Sequence, residues 1–161
     1  MTYQAWQRGN YEISTDPARI DVDVTHGFLT SDAYWSEAVP REIVERAIGN
    51  SINFGVYKTA PAGAVAPAGA GGAQAGFARV VSDKASFAWI CDVFVLPEHR
   101  GQGLGKWLME CVTSHPELQG LRRWMLATRD AHGLYRQYGF TDLHDATRFM
   151  ERWDPEIYKR G

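Results

Sequence analysis

The chain has 161 residues, 45% of them hydrophobic and 22% charged, which suits one globular domain with its own core. A net charge of −2 offers no basic surface for nucleic acid, and no stretch approaches the ~20 apolar residues of a membrane span. The start, MTYQAWQRGN, has no long apolar core, so no signal peptide and a cytoplasmic location are expected.

Tyr11-Glu12-Ile13-Ser14 predicts a first strand, stopped by Asp16-Pro17. Ile20, Val24 and Phe28 fall at helical spacing, predicting a helix over 20–29 that starts near Asp21 or Asp23. A link at 33–39 carries two adjacent aromatics, Tyr34 and Trp35. Pro40 then opens a helix with the stripe Ile43, Val44, Ala47 and Ile48, ended by Gly49-Asn50. Residues 52–57 alternate as a second strand. Residues 59–75, TAPAGAVAPAGAGGAQA, cannot bury enough surface to offset ordering entropy, and predict a mobile loop inside a hairpin. A third strand covers 76–81, with a turn at 82–84.

Residues 87–112 organise the rest. From 87 to 95, Phe87, Trp89, Cys91, Val93 and Val95 alternate with Ala88, Ile90, Asp92 and Phe94. A strand apolar on both sides lies inside a sheet and is covered twice. Pro97 ends its pairing. Leu104, Trp107, Leu108, Cys111 and Val112 then make the stripe of a helix lying back on the sheet. Residues 123–128 predict a further strand, 131–138 a short helix, and 140–141 with 148–153 a last hairpin. The fold class expected is mixed α/β: a mostly antiparallel sheet of six or seven strands flanked by about four helices. One domain is expected over 1–161, with its core at about 11–153.

The turn Arg100-Gly101-Gln102-Gly103-Leu104-Gly105-Lys106 carries the functional signal. Glycines before a helix leave bare the N–H groups that have no internal partner, a socket for phosphate. Arg100 and Lys106 add positive charge at its rim. Two rival loops fail on spacing. A dinucleotide fingerprint needs Gly where Lys106 stands, and a Walker loop needs Gly and Ser or Thr where Arg100 and Trp107 stand. Asp92 is the only charged residue from 87 to 96. Such an acid serves as a base, holds a cationic acceptor, or is structural, paired with an arginine or capped by backbone N–H groups. His132 is a weaker candidate for proton relay. Cys91 and Cys111 sit in apolar interiors and read as reduced thiols; no Cys or His pair has metal-ligand spacing, so no metal is expected.

Arg100-x-x-Gly103-x-Gly105, after a strand ending Val-x-Val-x-Pro, resembles the coenzyme A pyrophosphate loop of the GCN5-related N-acetyltransferases. Leu134-Tyr135-Arg136-Gln137-Tyr138-Gly139-Phe140 resembles that family's LYxxxGF ending. The resemblance is clear over residues 76–140. It implies the acyl-CoA N-acyltransferase fold and transfer of an acetyl group from acetyl-CoA to a primary amine of a small molecule or peptide, by direct attack in a ternary complex. It places coenzyme A against Arg100, Gly101, Gln102, Gly103, Leu104, Gly105 and Lys106, and against backbone N–H near Val93, Phe94 and Val95, where two strands splay. It makes Tyr135 the proton donor to the departing thiolate, Asp92 a base or substrate contact, and Tyr138 a packing residue. Tyr34, Trp35 and Glu37 frame the acceptor. The alternative is a non-catalytic acyl-CoA sensor. No nucleic acid or membrane partner is implied; a homodimer is compatible with the family.

Overall fold

The computed structural model describes residues 2–60 and 72–160. One sheet carries six strands in chain order: β1 (Ala5–Arg8), β2 (Tyr11–Ser14), β3 (Ile52–Lys58), β4 (Ala73–Ser82), β5 (Phe87–Val95) and β6 (Arg123–Leu126). Neighbours are antiparallel except β5 and β6, which run parallel. A parallel pair needs a long crossover, and α3 (Leu104–Ser114) lies in it. The helices α1 (Val22–Ser31) and α2 (Arg41–Gly49) join β2 to β3, and α4 (His132–Arg136) follows β6. Among the described residues no helix is long and apolar enough to cross a membrane.

The helices start where local chemistry provides for them. Asp21 caps α1, its carboxylate accepting from Val24 N–H at 3.1 Å. Pro40 precedes α2, which buries Val44 and Ile48. The stripe of α3 buries Leu104, Trp107, Leu108, Met109, Cys111 and Val112. Alternation along β4 sends Ala78 and Val80 to the α3 side and Phe77 to the α1–α2 side. Phe94 joins Phe77 there, stacked on Phe28 with centroids 4.0 Å apart.

Strict alternation fails in the middle of β5. Phe94 pairs with Phe77 and Cys91 with Arg79, so Asp92 and Val93 together oppose Ala78. This is a β-bulge, with Asp92 in the left-handed region at φ +55°. Asp tolerates that region better than most side chains. Past the bulge the faces exchange. Val93 and Val95 pack with Ala88 and Ile90, and Phe94 crosses to the other layer.

Other expectations change too. The last hairpin is not formed: 140–141 and 148–153 carry no strand. Met150 is 98% exposed and Trp153 74%, so the alternation there has no face to bury. A 3-10 turn at Ala146–Arg148 stands nearby, capped by Asp145 accepting from Thr147 N–H. β1 is an element beyond those predicted; only its Trp6 is partly buried, stacked on Phe54, so its periodicity is faint. Of the predicted loop at 59–75, residues 61–71 lie outside the described residues. Ala73–Ala75 belong to β4, where the Gln74 side chain bridges to α1, accepting from Asp21 N–H at 2.8 Å and donating to Thr25 Oγ1 at 2.9 Å.

Candidate active site

The glycine turn leaves β5 through a short 3-10 turn, Pro97–His99. Gly101 (φ +81°) and Gly103 (φ +77°) then take left-handed conformations, and Gly103 caps α3 with no side chain. Among the described residues nothing accepts from the N–H groups of Gly101, Gln102, Gly103, Leu104, Gly105 or Lys106. The first bond of the helix runs from Trp107 N–H to Gly103 O. A Cβ added at Gly105 meets nothing within 4 Å, and its φ is ordinary. Packing therefore gives no reason for the missing side chain, although glycine inside a helix costs about 0.5–1 kcal/mol relative to alanine. A ligand approaching the backbone does give one, and unpaired N–H groups at the positive end of a helix suit a phosphate.

The turn is anchored from several sides. The Tyr11 hydroxyl shares a 2.9 Å hydrogen bond with His99 Nδ1 and accepts from Gln102 Nε2 at 3.1 Å. Arg100 Nε donates to Val95 O at 2.9 Å, which holds its guanidinium over the end of β5. Lys106 is exposed, and its carbonyl accepts from Tyr138 OH at 2.8 Å, tying α3 to the end of α4. Tyr11 carried no functional signal in the sequence, because a tyrosine opening a strand reads as core.

Next to the turn the sheet opens. β5 and β6 pair only from Phe87 with Arg123 to Ile90 with Leu126. Beyond Ile90 the strands part. Leu96 N–H donates to Ala75 O at 2.8 Å, toward β4. Backbone groups alternate in direction along a strand, so those of Val93 and Val95 face the opening and those of Phe94 face β4. Arg100 takes the Val95 carbonyl. The N–H groups of Val93 and Val95 are left directed into the gap.

A cavity of about 220 Å³ lies at this opening, lined among others by Tyr34, Trp35, Cys91, Asp92, Asp130 and Tyr135. Both oxygens of Asp92 are engaged: Oδ2 accepts from Arg79 Nε at 2.8 Å and Oδ1 from Trp35 Nε1 at 3.0 Å. Arg79 also donates to Ser51 Oγ at 3.0 Å, joining the bulge to the turn before β3. The link 33–39 thus touches the bulge through Trp35. Tyr34 stands beside it, its hydroxyl accepting from Arg129 N–H at 3.0 Å and its ring 3.8 Å from the Arg129 guanidinium carbon. Glu37 is exposed and does not line the cavity, and neither does exposed His132.

Tyr135 is buried, and its hydroxyl has no hydrogen-bond partner among the described residues. Burial first, then the nearby Tyr34 and Asp130, push its pKa up to about 12, so it is a neutral phenol at pH 7. Burial likewise pushes the Cys91 thiol up to about 12, which removes its thiolate. Its Sγ lies 3.6 Å from Arg79 O. Arg79, the partner that occupies Asp92, and Asp130 were not singled out in the sequence. An arginine on the predicted strand 76–81, just before the strand that carries a lone acid, was the signal available for the first.

A family profile described as an acetyltransferase (GNAT) domain matches residues 62–142. A candidate acetyltransferase of Gibberella zeae is 34% identical over 156 residues, covering 88% of this chain and 85% of its own. The crystal structure of a candidate acetyltransferase assigned to the GNAT family, from Xanthomonas campestris pv. campestris, superposes with a TM-score of 0.83. It is 45% identical and covers 94% of this chain and 99% of its own. A candidate acetyltransferase from Clostridium acetobutylicum, whose structure contains acetyl-CoA, shares the fold with a TM-score of 0.62 at 14% identity, covering 90% and 96% of the two chains.

Proposed function

Since the chain belongs to the GNAT acetyltransferases, we propose that it moves an acetyl group from acetyl-CoA to a primary amine, by direct attack while both substrates are bound. The observation that carries this reading is the opening of the sheet past Ile90, set between the bare N–H groups of 101–106 and the Tyr135 phenol. Acetyl-CoA supplies an activated thioester carbonyl and a thiolate leaving group.

Each demand of the reaction finds a group in the chain. Residues 101–106 hold the diphosphate through backbone N–H groups, with Arg100 and Lys106 at the rim. The N–H groups of Val93 and Val95 meet the carbonyl oxygen as negative charge grows on it, fixed by the bulge before any substrate arrives. Tyr135 donates its proton to the departing sulfur; burial keeps the proton on the oxygen until then. Asp92, with both oxygens occupied, acts as a positioning group: it holds the bulge through Arg79 and seats Trp35 at the cavity wall. A free alkylamine has a pKa near ~10.4 and must lose a proton to solvent before attack. Cys91, a neutral thiol, is unsuited to accept the acetyl group, which supports direct attack.

The test is thiol release from acetyl-CoA across a panel of alkylamines, peptides with free amino groups, and alcohols. Turnover with amines and intersecting initial-rate patterns are expected. Acetylation of hydroxyls alone, or parallel-line kinetics with an acetylated Cys91, contradicts the reading.

A further inference from the structure

Two acids line the cavity where the strands part, Asp92 and Asp130. Asp92 is spent: Arg79 and Trp35 hold its two oxygens. Asp130 is different. Among the described residues its carboxylate makes neither a hydrogen bond nor an ion pair, and it sits in the turn between β6 and α4, exposed to water. Its sequence neighbour Arg129 lies over the Tyr34 ring and does not pair with it. The loop is fixed on both sides of Asp130. Ala131 N–H donates to Thr128 Oγ1 at 3.0 Å, and Arg129 N–H donates to Tyr34 OH.

We propose that Asp130 anchors the ammonium form of the acceptor at the cavity mouth and thereby selects cationic acceptors over those carrying an anion near the amine. This assignment rests on the N-acetyltransferase reading. A free carboxylate at the rim of a partly enclosed cavity attracts a cation and repels an anion, and low-dielectric walls strengthen both effects. Asp130 already acts electrostatically on this space, since its charge helps hold the proton on Tyr135. Trp35 and Trp89, which also line the cavity, give an alkyl chain apolar walls next to that charge. The acceptor class is therefore an alkylammonium compound with no carboxylate or phosphate beside the reacting nitrogen.

Three straight-chain probes of equal length separate the possibilities: an alkylamine, a diamine and an α-amino acid, whose carboxylate lies beside the amine. Wild type is expected to prefer the first two, and Asp130→Asn to raise their KM about tenfold. The variant is also expected to erase the preference over the α-amino acid while leaving the KM for acetyl-CoA and the melting temperature unchanged. Replacement by glutamate restores part of the preference, which a merely structural role does not explain. An unchanged ratio of kcat/KM values in Asp130→Asn, with wild type active on amines, overturns the Asp130 assignment alone. Wild type that acetylates no amine overturns the acetyl-transfer reading beneath it.

Discussion

Gly105→Ala should move stability and binding in opposite directions. A Cβ at Gly105 meets no atom within 4 Å and the residue has no unusual φ, so the added methyl neither clashes nor strains the helix start. Removing the glycine's excess chain entropy stabilises the folded state by about 0.5–1 kcal/mol. For a chain of this size that raises the melting temperature by about 1–4 °C. The same methyl stands where the proposed site brings the diphosphate to the second residue of α3. Losing or lengthening one charge-assisted hydrogen bond there costs about 1.5–3 kcal/mol, which is about 10- to 150-fold in coenzyme A affinity. Differential scanning calorimetry without ligand and titration calorimetry with coenzyme A read the two effects separately. A variant that gains stability yet binds coenzyme A as tightly as wild type refutes the placement of the diphosphate. A variant that loses stability refutes the claim that this glycine has no internal duty.

Tyr135→Phe should lower kcat about 10²–10⁴-fold with coenzyme A affinity unchanged, because burial of the ring is kept and only the proton donor is lost; equal kcat contradicts its role. With its pKa near 12, Tyr135 in the wild type should impose no alkaline fall in kcat between pH 8 and 10, which a pH–rate profile checks. Arg79→Ala leaves Asp92 without its cation at a site where the two side chains are only 18% and 13% exposed. Partial exposure reduces the cost from that of a fully buried pair, to about 3 kcal/mol or a fall of about 6–12 °C in melting temperature; a shift under 2 °C is inconsistent with the bulge being held by this pair. Burial lowers the His115 pKa, so the unfolded chain binds the extra proton first as pH falls. Stability is then full above pH ~6.5 and declines below it toward the folded pKa, and His115→Asn, which keeps an acceptor for Glu117 N–H, should flatten that decline in melting temperature.

The glycine turn before α3 was readable because its evidence is local. Three glycines at fixed offsets before an apolar helical stripe mean the same thing wherever the strand lies in the sheet. From β2 to α4 the order of strands and helices was readable for the same reason, through periodicity and caps such as Asp21. What stayed hidden is non-local. The bulge at Asp92 depends on one extra residue against β4, and alternation alone put Val93 and Val95 on the wrong face. The pairing of Asp92 with Arg79 joins residues on two strands, and the contact from Trp35 comes from 57 positions away. At 148–153 a strand-like pattern has no second layer to bury it, so Met150 and Trp153 face water.

A crystal structure of the protein soaked with acetyl-CoA tests the central claim most directly. Diphosphate oxygens are expected within about 3 Å of N–H groups between Gly101 and Lys106, with the acetyl carbonyl turned to Val93 and Val95 and the sulfur beside Tyr135. A diphosphate seated elsewhere, or a thioester lying outside the opening between β5 and β6, contradicts it.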